Sequence, residues 1–214
     1  SVASAGDVDG DGLDDILGGA EEMYIVGHRT GAAYFFYSPL SGTVDASNAD
    51  AKLTGDNAWD YAGQGVASAG DLNDDGFDDV LISAPGDGNG VVYVYYGPDI
   101  TGAGSVSTAD ASLLGAGSGD FAGASVASAG DVDGDGIEDI LVGATGAGTG
   151  GAAYLVYSAP VGASSLTQAD ATFEGVNSSD SAGYSVASAG DVNDDGYDDL
   201  LVGAYFEDTG GERA

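Results

Sequence analysis

The chain has 214 residues, 36 of them acidic against three Lys or Arg and one His, for a formal charge of −33. So acidic a surface repels phosphate and anionic headgroups, which excludes nucleic acid and anionic membrane surfaces as partners. Without Cys it has neither disulfides nor thiolate chemistry, and no apolar run nears the roughly 20 residues needed to cross a bilayer as a helix, so membrane insertion is not expected.

Neither Met nor a secretory leader opens the sequence, so any targeting signal is expected elsewhere in a longer or processed polypeptide. The phrase VASAGD begins at Val2 and returns at Val66, Val126 and Val186, at spacings of 64, 60 and 60 residues. It divides the chain into repeats over about 1–64, 65–124 and 125–184 and a half repeat over 185–214. Each repeat opens on Val with Ala, Ser and Gly, small side chains that suit an innermost strand where radially arranged sheets crowd together. An acidic loop follows, then DILGGA, DVLISA, DILVGA or DLLVGA, ending at Ala20, Ala84, Ala144 and Ala204. Apolar at consecutive positions, this second segment reads as a strand buried on both faces. The third is aromatic (AAYFFY, VVYVYY, AAYLVY) and the fourth is short (KLTG, SLLG, TFEG).

Strand-length segments divided by Gly, Asp and Ser turns, with no sustained period of 3.6, predict an all-β fold. Four antiparallel strands in a repeat of about 60 residues predict β-propeller blades, about three and a half of them here. The first repeat is longer because its second-to-third connection, Glu21 to Thr30, holds four extra residues. Surface loops absorb such insertions easily.

The acidic loops read DVDGDGLDD from Asp7, DLNDDGFDD from Asp71, DVDGDGIED from Asp131 and DVNDDGYDD from Asp191, and together hold 20 of the 36 acids. Carboxylates so close repel one another unless a cation lies between them. In the pattern D-x-[DN]-x-D-G-x-x-D, side chains at positions one, three, five and nine converge as the chain curls around the glycine at position six. Position seven can add its carbonyl. The side-chain ligands would be Asp7, Asp9, Asp11 and Asp15; Asp71, Asn73, Asp75 and Asp79; Asp131, Asp133, Asp135 and Asp139; and Asp191, Asn193, Asp195 and Asp199. Leu13, Phe77, Ile137 and Tyr197 would offer carbonyls. An all-oxygen set of this size suits Ca2+, at about four sites, over Mg2+, and the lack of nearby His or Cys disfavours zinc and copper. An EF-hand needs an acid at position twelve and a following helix; here that position is Gly18, Ile82, Val142 or Val202, inside a strand-like run.

These units resemble the FG-GAP repeats of the integrin α-subunit β-propeller and its bacterial relatives over essentially the whole chain. The resemblance is carried by the lead-ins YAGQGVASAGD, FAGASVASAGD and SAGYSVASAGD, by the acidic loops, and by the ISAP and LVGA segments after them. Phe-Gly stands here as Ala62-Gly63, Ala122-Gly123 and Ala182-Gly183, and Gly-Ala-Pro as Ala84-Pro85 or Gly-Ala. The resemblance implies a seven-bladed ring, calcium between the first and second strands, and partners on the opposite face. The chain stops at GGERA (210–214), where repeat three begins its third strand with GGAAY, so a piece of a longer propeller is preferred to a homodimer that pools half-blades.

No catalytic constellation is recognisable: His28 is the only imidazole, and the paired acids all fall in the metal-like loops, so no enzyme activity is expected. The loops opposite the acidic ones hold Tyr24, His28, Arg29, Trp59, Tyr61, Asp87, Asn89, Phe121, Tyr205 and Phe206. Tyr61 and Phe121 are expected to fill gaps between blades, and Tyr24, His28, Arg29 and Trp59 to offer a face to a protein or glycan partner. The function expected is calcium-stabilised extracellular adhesion or recognition at a cell surface. The alternatives are a non-catalytic accessory module of a larger secreted enzyme and an acidic surface adapted to high salt.

Overall fold

Turns of Asp, Gly and Ser between β-branched and aromatic runs leave antiparallel ladders as the way to pair the backbone. In the computed structural model, which describes residues 1–25, 27–157 and 159–206, those runs form four sheets side by side. The first contains β1 (Val2–Gly6), β2 (Asp15–Gly19), β5 (Ala32–Phe36) and β6 (Ala51–Thr54), with β3 (Tyr24–Ile25) and β4 (His28–Arg29) as a small separate hairpin between β2 and β5. The second repeat supplies β7 (Val66–Gly70), β8 (Asp79–Ala84), β9 (Val91–Tyr95), β10 (Gly102–Ser105) and β11 (Ala111–Leu114). From the third come β12 (Ala122–Gly130), β13 (Asp139–Ala144), β14 (Ala152–Val156), β15 (Gly162–Ser165) and β16 (Ala171–Glu174). The half repeat gives β17 (Ala182–Gly190) and β18 (Asp199–Ala204). A third strand from Gly210 falls outside the described residues.

Each VASAG strand is the edge strand of its sheet, and β1 packs on β7, β7 on β12 and β12 on β17. The small side chains thus lie where neighbouring sheets converge, as the sequence predicts. The core lies between blades rather than within them. Leu17, Phe35 and Leu53 of the first blade pack with Val80, Ile82 and Tyr93 of the second. Leu81, Val92 and Val94 turn the other way, onto Ile140, Val142 and Tyr154 of the third. Every residue of β8 and β13 is therefore buried, whereas β2 and β18, each with a neighbour on one side among the described residues, remain partly open.

Two blades differ from the expected four antiparallel strands. The sequences GAGS and GASS carry no strand signal, yet β10 pairs parallel with β6, Gly102 opposite Ala51, and β15 pairs parallel with β11, Gly162 opposite Ala111. Each covers the outer edge of the preceding blade, where unpaired N–H and C=O groups would otherwise face solvent. A single 3₁₀ turn follows each, capped by the side chain of Ser105 or Ser165, and plugs Val106 or Leu166 into the core between blades. Local pattern fails here because the partner strand belongs to another repeat.

Candidate metal centre

The antiparallel order gathers the loops after β1, β7, β12 and β17 at one end of the blades, and these are the four acidic loops. Their fold follows from short Asp side chains accepting nearby main-chain N–H groups. Asp7 takes Gly10 N–H on Oδ1 at 2.8 Å and Gly12 N–H on Oδ2 at 2.9 Å; Asp9 takes Asp11 N–H at 3.1 Å and Asp11 takes Leu13 N–H at 2.9 Å. The third loop repeats this through Asp131, Asp133 and Asp135, the last accepting Ile137 N–H at 2.9 Å. In the second and fourth loops position four is Asp, and the first Asp binds the N–H of position five instead, as in Asp75 to Asp71 and Asp195 to Asp191, both at 3.0 Å. Asn73 Oδ1 shares the Asp75 N–H at 3.0 Å, and Phe77 and Tyr197 N–H close the turn on Asp75 and Asp195. Gly12, Gly76, Gly136 and Gly196, at φ of +88 to +94°, hold the left-handed turn that a side chain would strain.

Position nine is buried: Asp15, Asp79 and Asp139 are at most 1% exposed. Its Oδ2 accepts the N–H of position two, from Val8 at 3.1 Å, Leu72 at 2.8 Å, Val132 at 2.9 Å and Val192 at 3.0 Å. Val8 and Leu72 in turn plug the core, so in the first two loops one residue ties the turn to the hydrophobic interior, whereas Val192 of the fourth is 71% exposed. The other oxygen of Asp15 and Asp79 holds Ser38 or Gly97 N–H, at the start of the third-to-fourth connection. Burial pushes Asp79 up to about 7, against the pull of those two N–H groups, and Asp15 in the same direction. Asp191 is lowered, first by the N–H of Gly196.

One oxygen each of Asp7, Asp9 and Asp11 lies within 4.8 Å of the others, and Asp131, Asp133 and Asp139 make the same convergence. The donors are all oxygen, and the one ion pair among the described residues, Arg29 with Glu22, lies in the far-side insertion. This chemistry fits a hard divalent ion.

Two sets of acids escaped sequence reasoning. Asp78, Glu138 and Asp198 occupy position eight, are half-buried, and reach the preceding blade. Asp60, Asp120 and Asp180, at most 7% exposed, accept the N–H of Asn57, Gly117 and Asn177 at 2.5 to 2.7 Å and fix the turn into the next blade. The available signal was an acid at the same place in each repeat, two residues before Ala-Gly.

At the opposite end, the insertion of the first blade forms the β3–β4 hairpin. Arg29 donates from Nε to Tyr24 Oη at 3.0 Å and pairs with Glu22 Oε1 at 2.8 Å. Its guanidinium carbon lies 5.7 Å from the ring centres of both Tyr24 and Trp59, a range in which a cation is drawn to the ring face. Trp59 N–H donates to Arg29 O at 2.5 Å, yet the residue stays 52% exposed, as Tyr24 does at 59%. Tyr24, Arg29 and Trp59 thus come together; His28 stands exposed on the same short strand. Of the two rings expected to fill gaps between blades, Tyr61 is half-buried and Phe121 is largely exposed. Each lies over the loop glycine after the second strand, Gly86 or Gly146, and Phe121 keeps 52% of its surface in solvent.

Sheets stacked about small inner strands, each with its acidic hairpin at one end, define the chain as β-propeller blades. It belongs to the FG-GAP repeat family, which matches residues 62–95, 122–157 and 182–214. It is 34% identical over 147 residues to integrin alpha-4 of Xenopus laevis, covering 67% of this chain and 14% of that protein. To integrin alpha-5 of the same species it is 34% identical over 159 residues, covering 68% and 14%, and to integrin alpha pat-2 of Caenorhabditis briggsae 31% over 155 residues, covering 64% and 12%. The chain spans about one seventh of the length of these relatives.

Proposed function

We propose that this chain is a calcium-binding recognition module of a cell-surface or secreted protein, with no catalytic step of its own. The observation that carries the metal part is the convergence of oxygens from Asp7, Asp9 and Asp11 and from Asp131, Asp133 and Asp139 at the ends of hairpins already shaped by the main chain. Calcium takes six to eight oxygens. Position nine and the carbonyls of Leu13, Phe77, Ile137 and Tyr197 complete the set in each loop, and Asp71, Asn73, Asp75, Asp191, Asn193 and Asp195 serve the other two. The ions stabilise the hairpins by relieving repulsion, with affinities of about 10⁻⁴–10⁻³ M that suit a calcium-rich exterior.

The recognition part rests on the far-side cluster. Arg29, held between Tyr24 and Trp59 with Glu22 fixing its outer nitrogen, is an ordered cation in an acidic molecule, flanked by exposed rings. Such a patch takes an acidic protein segment or a glycan, whose sugar faces stack on aromatic rings. Kinship with integrin alpha chains supports adhesion as the use of this face.

The test is binding of the purified protein to an array of glycans and matrix proteins, in calcium and in EDTA. Binding in calcium that Arg29→Ala abolishes supports the reading. Binding indifferent to Arg29, Tyr24 and Trp59 together would refute the assignment of the face.

A further inference from the structure

The acids at position eight do not point toward their own loops. Asp78, on the second blade, accepts the Asp7 N–H at 2.7 Å and returns its own N–H to Asp7 O at 3.1 Å. Asp198, on the fourth blade, makes the same two-bond clasp on Asp131 of the third, at 3.0 Å in each direction. Glu138 reaches the equivalent place on the second blade, where it lies against Gly70 and faces the Asp71 N–H. Three glycines make room: at Gly6, Gly70 and Gly130, with φ of +78, +69 and +77°, a Cβ would fall 1.9 to 2.1 Å from an oxygen of Asp78, Glu138 or Asp198. Gly190, which has no following blade among the described residues, faces open space, and Asp14, which has no preceding one, is exposed. The clasp therefore belongs to the junction between blades.

What it grips is the first ligand of the neighbouring loop. Asp7, Asp71 and Asp131 each organise the turn behind them by accepting the N–H of Gly12, Gly76 or Gly136. Each gripping acid in turn sits between positions seven and nine of its own loop. We propose that Asp78, Glu138 and Asp198 are positioning residues that couple neighbouring calcium loops, so that filling one loop orders the acid which fixes the first ligand of the loop before it. This rests on the calcium reading above. Because coupling between binding sites is reciprocal, each filled loop also favours the one after it, and the ions draw the blades together.

The experiment is a calcium titration of the whole chain followed by amide NMR, with Gly12, Gly76, Gly136 and Gly196 each reporting its own loop. Asp135→Ala removes a ligand from the third loop. It should raise the calcium midpoint of Gly76, in the second loop, about fivefold or more, the low end of coupling between sites. With Glu138→Ala already present, which removes the acceptor oxygen, Asp135→Ala should no longer move Gly76. Glu138→Asp should preserve the coupling, since Asp does the same work at the other two junctions. Calcium shifts in every loop with Gly76 indifferent to Asp135→Ala would overturn the coupling and leave the calcium reading standing. No calcium shift in any loop would overturn both.

Discussion

The Leu72 N–H is held by Asp79 Oδ2 at 2.8 Å, beneath a loop whose Asn73 and Asp75 are exposed. Asp79 also holds Gly97 N–H on its second oxygen, so it is both a proposed ligand and the joint between loop, core and outer strands. Its two kinds of work separate experimentally. Asp79→Ala strands two main-chain donors and should cost about 2 kcal/mol or more even in EDTA. Asp75→Ala, at an exposed position, should be nearly neutral in EDTA and destabilising only in calcium. Denaturant melts of both variants in both conditions check this; equal losses for Asp75→Ala with and without calcium would contradict it.

The loops are not equivalent. The proposed ligand positions in the first and third carry four carboxylates each, whereas Asn73 and Asn193 reduce the second and fourth to three. Since ligand charge tunes calcium affinity, the first and third loops should fill at about tenfold lower calcium. Calorimetric titration should resolve two classes of site, and Asn73→Asp should move one site from the weak class to the tight one.

Trp59 adopts φ +74°, in the left-handed region where a bulky L-residue is strained by roughly 1–2 kcal/mol. The equivalent place in the next repeat is Gly119, at +82°. On the recognition reading proposed above, Trp59 holds this strain for the sake of a contact outside the fold. Trp59→Gly should therefore leave the melting temperature unchanged or raise it, while weakening binding on the array. A loss of more than about 2 kcal/mol would make Trp59 a packing residue instead.

Alkaline pH should loosen the blades. Tyr37 Oη donates to Ile100 O at 2.5 Å and Tyr96 Oη to Pro160 O at 2.6 Å, each reaching the next repeat; Tyr95 Oη donates to Val106 O at 2.7 Å. Burial pushes all three up to about 12, from 10 in the unfolded chain. Between those values the folded form keeps protons that the unfolded form has lost, so stability is intact below pH 10 and falls as pH rises toward 12. Denaturant midpoints across this window should decline, and Tyr96→Phe should flatten part of the decline.

What could be read from the sequence was local. The acids from Asp7 to Asp15 and their counterparts lie within nine residues, so spacing alone brings them to one turn. The burial of β8 and β13 on both faces was legible in their unbroken apolar runs. The clasp of Asp78 on Asp7 spans 71 residues and joins two repeats, and β15 pairs with a strand of the blade before it. Neither leaves a mark in local periodicity. Comparison between repeats holds a further clue. Loops with Gly at position four precede repeats with an aromatic at position seven, and the rings of Phe77 and Tyr197 lie over Gly10 and Gly134. That alternation records contact between blades, visible only once their order in space is known.

The central claim, that divalent ions hold the acidic hairpins, is tested most directly by calorimetric melting in EDTA and in about 10 mM calcium, some hundredfold above the tighter end of the expected affinities. A site filled at a hundred times its dissociation constant contributes about 2.7 kcal/mol. For a chain of 214 residues that is a rise of roughly 5 °C or more per tight site, reversed by chelation and not reproduced by an equal ionic strength of NaCl. Superimposable melting curves in EDTA and calcium would contradict the account.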